Sequence, residues 1–196
     1  MTCVLIMNGP AESGKGTVTK YIRWFFDLSV LEYSSIDYVK EVAEKSFGWD
    51  KKKDVKGRNL LAAIKQLMIG YNDLPLQKVA DVLIDSIVFD VDILVVDIRE
   101  PDEIEKLVNH CKKVSIPCYT CRIHNTKAED IVKKGGHSLT GDRLYGQYDY
   151  DLNITNNGSL EELAIQVNTV FAFLLGKDEH SLSSIGRIIK EKENEK

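Results

Sequence analysis

With 196 residues, 43% of them hydrophobic and 29% charged, the chain has the make-up of one soluble globular domain, large enough to bury a core without staples. Its formal net charge of −4 argues against a nucleic-acid polymer as partner, while leaving room for small phosphorylated ligands, which need only a local cluster of Lys and Arg. Met1 leads straight into an apolar run without a basic leader, and no run is long enough to span a bilayer, so a cytoplasmic protein with no membrane partner is expected.

The first run, CVLIMN (Cys3 to Asn8), reads as a short strand, and an amphipathic helix is predicted from Lys15 to Phe26. Val30 to Ile36 reads as a second strand, after which Asp37 stands where an N-cap would, ahead of YVKEVAEKSF at helical spacing. Gly48 to Arg58 is polar and basic and reads as a loop. Two helical segments follow, NLLAAIKQLMIGY and LPLQKVADVLIDSIVF, the second with Pro75 in its first turn. DILVVD (Asp92 to Asp97) is the most strand-like run of the chain, apolar as a strand covered on both faces should be.

Pro101 opens the helix PDEIEKLVNHCKK, with acids in its first turn. PCYTCRI is a fourth strand. The charged, glycine-bearing stretch from Thr126 to Tyr148 has room for one short helix, and YDLNITN is a fifth strand. SLEELAIQVNTVFAFLLG is a helix opened by a capping box, Ser159 with Glu162, and the tail IIKEKENEK reads as a solvated charge run at a fraying helix end. Strands alternating with helices predict a three-layer α/β/α domain over 1–196 with a parallel sheet of about five strands.

Cys3, Cys111, Cys118 and Cys121 include one CxxC, flanked by His110 and His124. On a strand, residues three apart point to opposite faces, so Cys118 and Cys121 should diverge. The second CxxC or paired His of a zinc site is missing, and reduced, partly buried thiols are the expected state.

Between the first strand and the first helix stands GPAESGKGT: Gly9, Pro10, Ala11, Glu12, Ser13, Gly14, Lys15, Gly16, Thr17. It could be a plain turn. It also matches G-x-x-x-x-G-K between a strand and a helix, where the backbone curls so that N–H groups face phosphate oxygens, the helix start adds its positive end, and the Lys reaches the outer phosphates. A Ser or Thr commonly follows the Lys and binds Mg²⁺; here that place is Gly16. Because a helix turns about 100° per residue, Thr17 cannot take the same spot and is expected at an inner phosphate, with a weaker claim on the metal. GKGT in this position resembles adenylate kinases and other nucleoside monophosphate kinases.

Asp97 ends the most buried strand and Arg99 follows two residues later. Off the carboxyl end of a parallel sheet both can face the cradle, Asp97 as the acid that orients Mg²⁺ water and Arg99 as a two-pronged clamp for an acceptor phosphate. The plainer readings are a helix cap for Asp97 and a surface ion pair with Glu103 for Arg99. Asp97-Ile-Arg99-Glu-Pro101-Asp-Glu103 resembles the third-strand signature D-[VI]-R-x-P-x-E of phage-type deoxynucleoside monophosphate kinases. GHSLTGDRLYGQYDYDLNITNNGSLEEL is similar to that family's ending, a His-containing lid stretch, a short strand, then a helix. In that family an Asp commonly stands where Gly16 is, and its lid motif usually carries a Glu after the His, where His137 is followed here by Ser-Leu-Thr.

The resemblance implies a P-loop kinase that uses ATP and Mg²⁺, with an acceptor-binding helical insert at about 37–90 and a lid at about 124–148. By position, Arg58 would be a second phosphate clamp, Asp37 would face the acceptor's base or sugar, and Arg122 and Arg143 would be the lid's basic residues, with Arg122 on the nucleotide and Arg143 in transfer. Each of these arginines taken alone reads first as an ordinary surface residue, and only as a set around one pocket do they point to phosphoryl transfer. The function expected is transfer of the ATP γ-phosphoryl group to a small phosphorylated acceptor, foremost a (deoxy)nucleoside monophosphate, by a monomer or homodimer.

Alternatives are a kinase for another small acceptor such as dephospho-coenzyme A, and a nucleotide-binding regulatory protein without turnover. A GTPase-like switch has one near miss in its favour, Thr126-Lys127-Ala128-Glu129 against the guanine-reading T-K-x-D. Against it, Asp97 has no Gly three residues on, and the metal-binding Thr is displaced.

Overall fold

The computed structural model describes residues 2–52, 54–134 and 144–195. The apolar runs pair into one parallel sheet: β1 (Cys3–Asn8), β2 (Val30–Ser34), β3 (Ile93–Asp97), β4 (Cys118–His124) and β5 (Leu152–Thr155), in the order β2-β3-β1-β4-β5. The helices among the described residues are α1 (Lys15–Phe26), α2 (Asp37–Phe47), α3 (Val55–Asn72), α4 (Leu74–Val88), α5 (Pro101–Lys113), α6 (Thr126–Lys133), α7 (Leu160–Leu175) and α8 (Leu182–Asn194).

The period of two along each strand divides the core. Leu5, Met7, Ile93, Val95, Cys121 and Ile123 face α1 and α7, where Val18, Ile22, Phe25 and Phe171 meet them. Val4, Ile6, Leu94 and Val96 face the other way, against Val79 and Leu83 of α4 and Ile104 and Leu107 of α5. The sheet is therefore covered on both sides, the three-layer α/β/α arrangement that alternating elements predict. The CxxC follows the same rule. Cys121 lies in the first core and Cys118 packs against the second, so the thiols diverge, and burial pushes the Cys121 thiol up to about 12. All four cysteines are free.

Three local details differ from the sequence expectation. The basic stretch read as a loop to Arg58 turns helical at Val55, because the Asp54 carboxylate accepts the Gly57 N–H at 2.7 Å and caps α3. Arg58 thus lies in the first turn of a helix. Asp37 is the first residue of α2 and not its cap; its carboxylate reaches back to accept the Ser34 N–H at 2.8 Å. The tail is more than a solvated run. Ser181 caps α8, the His180 ring donates to the Phe25 carbonyl, and Ile185 is 1% exposed in the α1–α7 core, with Ile188 and Ile189 packed beside it. No helix among the described residues is long and apolar enough to cross a membrane.

Docking of α8 makes a clear stability contrast. Ile185→Ala should cost about 2–5 kcal/mol in denaturant unfolding, as loss of a buried branched side chain does. Lys190→Ala, on the charged outer side, should stay within about 0.5 kcal/mol.

Candidate active site

The sheet order leaves β1 between β3 and β4, and the carboxyl ends of these three strands form the crevice where open α/β sheets bind ligands. Into it drops the loop from Gly9 to Gly14. Gly9 (φ +151) and Gly14 (φ +105) hold backbone conformations that side chains resist. A Cβ at Gly9 would stand 2.7 Å from the Ile123 carbonyl, and one at Gly14 would stand 2.3 Å from Asn156 Nδ2. A Cβ at Gly16 would meet nothing within 4 Å. Lys15, the first residue of α1, folds back over the loop, its Nζ donating to the carbonyls of Gly9 at 2.9 Å and Pro10 at 3.2 Å. Ser13 is fully buried inside the loop and its Oγ has no hydrogen-bond partner. Ala11, Glu12 and Thr17 complete the loop and the first turn, with Glu12 in the left-handed region (φ +64).

Two residues brace this loop that sequence reasoning passed over. Asn8, fully buried at the end of β1, accepts the Gly9 N–H at 2.7 Å and donates to the Arg99 carbonyl at 3.1 Å and the Tyr150 hydroxyl at 2.7 Å. Asn156, just past β5, donates to the Ser13 carbonyl at 2.9 Å. A polar residue closing an apolar strand was the available signal for Asn8; nothing local marked Asn156.

Asp97 lies level with Met7 of β1 and Ser34 of β2, so its side chain stands beside the loop. Burial holds its carboxyl above the ordinary carboxylate value; Lys15 and Arg99 pull it back down, and Glu32 and Asp37 add to the rise. Lys15 and Arg99 are therefore both near enough to Asp97 to act on its charge, as are Glu32 of β2 and Asp37 of α2. Next to them a recess of about 200 Å³ is lined by Glu32, Tyr33, Ser34, Asp37, Val95 and Asp97. Asp37 enters it already engaged, with Lys40 Nζ 2.6 Å away. Arg58 lies in the first turn of α3 and is not among the residues that line this recess.

Arg122 belongs to the opposite flank. At the end of β4 its guanidinium lies 3.3 Å from the Glu129 carboxylate and 5.4 Å above the Tyr145 ring. Glu129, 5% exposed, also holds the His124 Nδ1. The acid that nearly completed a guanine-reading motif is thus turned inward, onto two side chains of its own fold. His137 and Arg143 lie outside the described residues.

Loop, lysine and acid have the chemistry to hold a nucleoside triphosphate with its metal. The buried Ser13 Oγ is a hydroxyl without a partner inside the loop, and Lys15 supplies a cation over it. Among the described residues no three His, Cys, Asp or Glu side chains are grouped to hold a metal ion by themselves. The donor set fits a Mg²⁺ ligated mainly by phosphates and water, with Asp97 behind the water and Thr17 as a candidate hydroxyl.

The two loop glycines should respond oppositely to a methyl group. Gly14→Ala forces a side chain into the left-handed region and against Asn156, and should destabilise the fold by more than about 1 kcal/mol. Gly16→Ala, in a helix with open space, should stabilise it by about 0.4–1 kcal/mol. Thermal unfolding of the two variants beside wild type measures both.

No protein-family model matches the chain, and no curated protein sequence matches it. Solved structures do share its outline. APS kinase from Mycobacterium tuberculosis, in complex with AMPPNP and APS, is 15% identical with a TM-score of 0.46, over 89% of this chain and 98% of that one. Shikimate kinase from Aquifex aeolicus is 16% identical with a TM-score of 0.43, over 88% and 96%. A sugar kinase from Janibacter is 13% identical with a TM-score of 0.46, over 92% and 100%. Likeness at this level says nothing of the reaction, which has to be argued from the side chains.

Proposed function

We propose that the chain is a small-molecule kinase that moves the γ-phosphoryl group of ATP to a phosphorylated acceptor, with a nucleoside monophosphate as the first candidate. The observation that carries this reading is the meeting of Lys15, Asp97 and Arg99 beside a glycine loop, with a separate recess of about 200 Å³ next to them. A phosphate-binding loop alone would serve any nucleotide-binding protein. An arginine acting on the carboxylate, and a recess that the carboxylate helps to line, are what a second substrate needs. The D-I-R-x-P-x-E stretch that carries Asp97 and Arg99, similar to phage-type deoxynucleoside monophosphate kinases, favours a nucleotide acceptor.

When bound, ATP supplies the phosphoryl group and Mg²⁺ the charge that screens it. Lys15 would leave the loop carbonyls for the outer phosphates, and the amino-terminal end of α1 would face the inner ones. Asp97 would hold a metal-bound water. Arg99, with Arg58 of α3 as the second candidate, would clamp the acceptor's phosphate and position it for transfer. No protein nucleophile is required, since positioning and positive charge do the work.

Asp97 should separate stability from activity. Its carboxyl binds a proton more tightly folded than unfolded, so its ionisation destabilises the fold above the raised value, and this penalty vanishes below the ordinary value of about 3.8. Asp97→Asn should therefore raise the melting temperature at neutral pH, by about 2–4 °C for each kcal/mol relieved, and lose that advantage in acid. Turnover should fall about a hundredfold. A variant that is less stable at neutral pH would speak for a structural cap.

Arg99 tests the acceptor. A panel of nucleoside monophosphates, screened by thermal shift with a non-hydrolysable ATP analogue, identifies the substrate first. With it, Arg99→Ala should raise the acceptor's KM and lower kcat, at a combined cost of about thirty- to a hundredfold in kcat/KM, while the ATP dissociation constant stays within about threefold. Arg99→Lys should recover part of this, because an ammonium cannot make the two-pronged contact. Unchanged acceptor kinetics in Arg99→Ala would remove the kinase reading's main support.

A further inference from the structure

Helix α3, which carries Arg58 in its first turn, is anchored in an unusual way. Leu61 and Ile64 of α3 close with Val39 and Ala43 of α2 in a small core distinct from the two that cover the sheet. Such a satellite core is small and its apolar contacts are non-directional, so it fixes the tilt and register of α3 against the strands less sharply than a paired charge does. One buried residue of α3 is not apolar. Lys65 is 6% exposed, and its Nζ donates to Glu100 Oε2 at 2.7 Å. The same Nζ lies 3.0 Å from Oε1 of Glu103, itself 5% exposed, out of hydrogen-bond alignment, so that contact is Coulombic.

Both acids belong to the turn that carries Arg99. Glu100 is the residue next to it and the N-cap of α5, and Glu103 is in the first turn of α5. The lysine therefore ties the acceptor-side helix directly to the β3–α5 turn. Burial drives the Glu103 carboxyl upward and Lys65 opposes this, as it would for a cation sunk between two acids. As a source of stability this is a poor arrangement, since buried ion pairs are often matched or bettered by apolar residues of the same volume. As a source of register it is a good one, because an ammonium between two fixed carboxylates has one best place. Arg58 stands seven residues before Lys65, hence on the same face of α3 and about 10 Å along it.

We propose that Lys65 is a positioning residue: its ion pairs with Glu100 and Glu103 lock α3 onto the β3–α5 turn and so hold Arg58 and Arg99 toward one acceptor phosphate. The proposal rests on the kinase reading for its acceptor half; the lock itself is a statement about α3.

Lys65→Met keeps the apolar stem and removes the charge, and two readouts judge it. Amide hydrogen exchange needs no substrate. Exchange in residues 61–68 of α3 should become about tenfold faster or more, with β1 and β3 unchanged. In transfer assays the acceptor's KM should rise about tenfold with ATP affinity within about twofold, and Lys65→Arg should recover most of the loss. Arg58→Ala should weaken the wild type yet add almost nothing in the Lys65→Met background, a non-additivity that a merely structural lysine would not produce. Should Lys65→Met fail to fold, Glu100→Gln removes the better-aligned partner alone and should shift exchange and acceptor KM in the same direction by a smaller factor. Unchanged exchange in α3, or faster exchange with an unmoved acceptor KM, overturns the proposal. A wild-type chain that transfers to no acceptor overturns the kinase reading and the acceptor half here, while the exchange comparison still decides whether the lock exists.

Discussion

A single side-chain amide, that of Asn8, stands where the candidate site's parts meet. Its oxygen takes the N–H of Gly9, which opens the glycine loop, and its nitrogen gives to the Arg99 carbonyl on the neighbouring turn and to Tyr150. Tyr150 passes the connection on, its hydroxyl donating to the Tyr145 carbonyl, and the Tyr145 ring lies under Arg122. Asn8, Tyr145 and Tyr150 are buried, where an unpaired polar atom costs about 1–3 kcal/mol. The loop, the β3–α5 turn and the segment before β5 consequently share one satisfied arrangement, and a shift in any of them would orphan donors in the others.

The charge around this amide is arranged more tightly than the whole-chain balance suggests. A chain of net −4 sets Lys15 and Arg99 near Asp97 at the sheet's carboxyl edge and keeps Arg122 occupied by Glu129. Asp97 sits between the cations and the acids Glu32 and Asp37, and burial is the largest influence on it. Residues held this way are costly for the fold and useful for chemistry, since a carboxylate that water does not screen acts strongly on whatever cation reaches it.

The elements that local rules govern were legible from the residues. The bounds of β1 and α1 follow from an apolar run meeting a glycine loop, α5 from Pro101 with acids behind it, and α7 from the Ser159–Glu162 box, whose two bonds are both made. The start of α3 was not, because Asp54 caps it from inside a run of lysines that reads as solvated loop. Partners far apart in the chain were hidden altogether. Asn8 bonds across 91 and 142 residues, and Lys65, which by spacing is an ordinary helical lysine, is buried by acids 35 and more residues away. Glu129 read as half a recognition motif until His124 and Arg122 were seen to occupy it.

The central place of β1 in the sheet has a consequence for how the chain is made. CVLIMN is made before either of its neighbours, yet Cys3 finds its place beside Ile93, and Val4 beside Cys118. Until both later strands exist, the strand that carries the glycine loop has two bare edges and an apolar surface on either face, the condition in which strands pair with the wrong neighbour. Closure of the sheet is non-local on both sides, which slows folding relative to a helical bundle of equal length. The residues that define the site at its amino-terminal end are therefore among the last to be held in it, and a chaperone that shields the first strand during synthesis would protect the loop along with the fold.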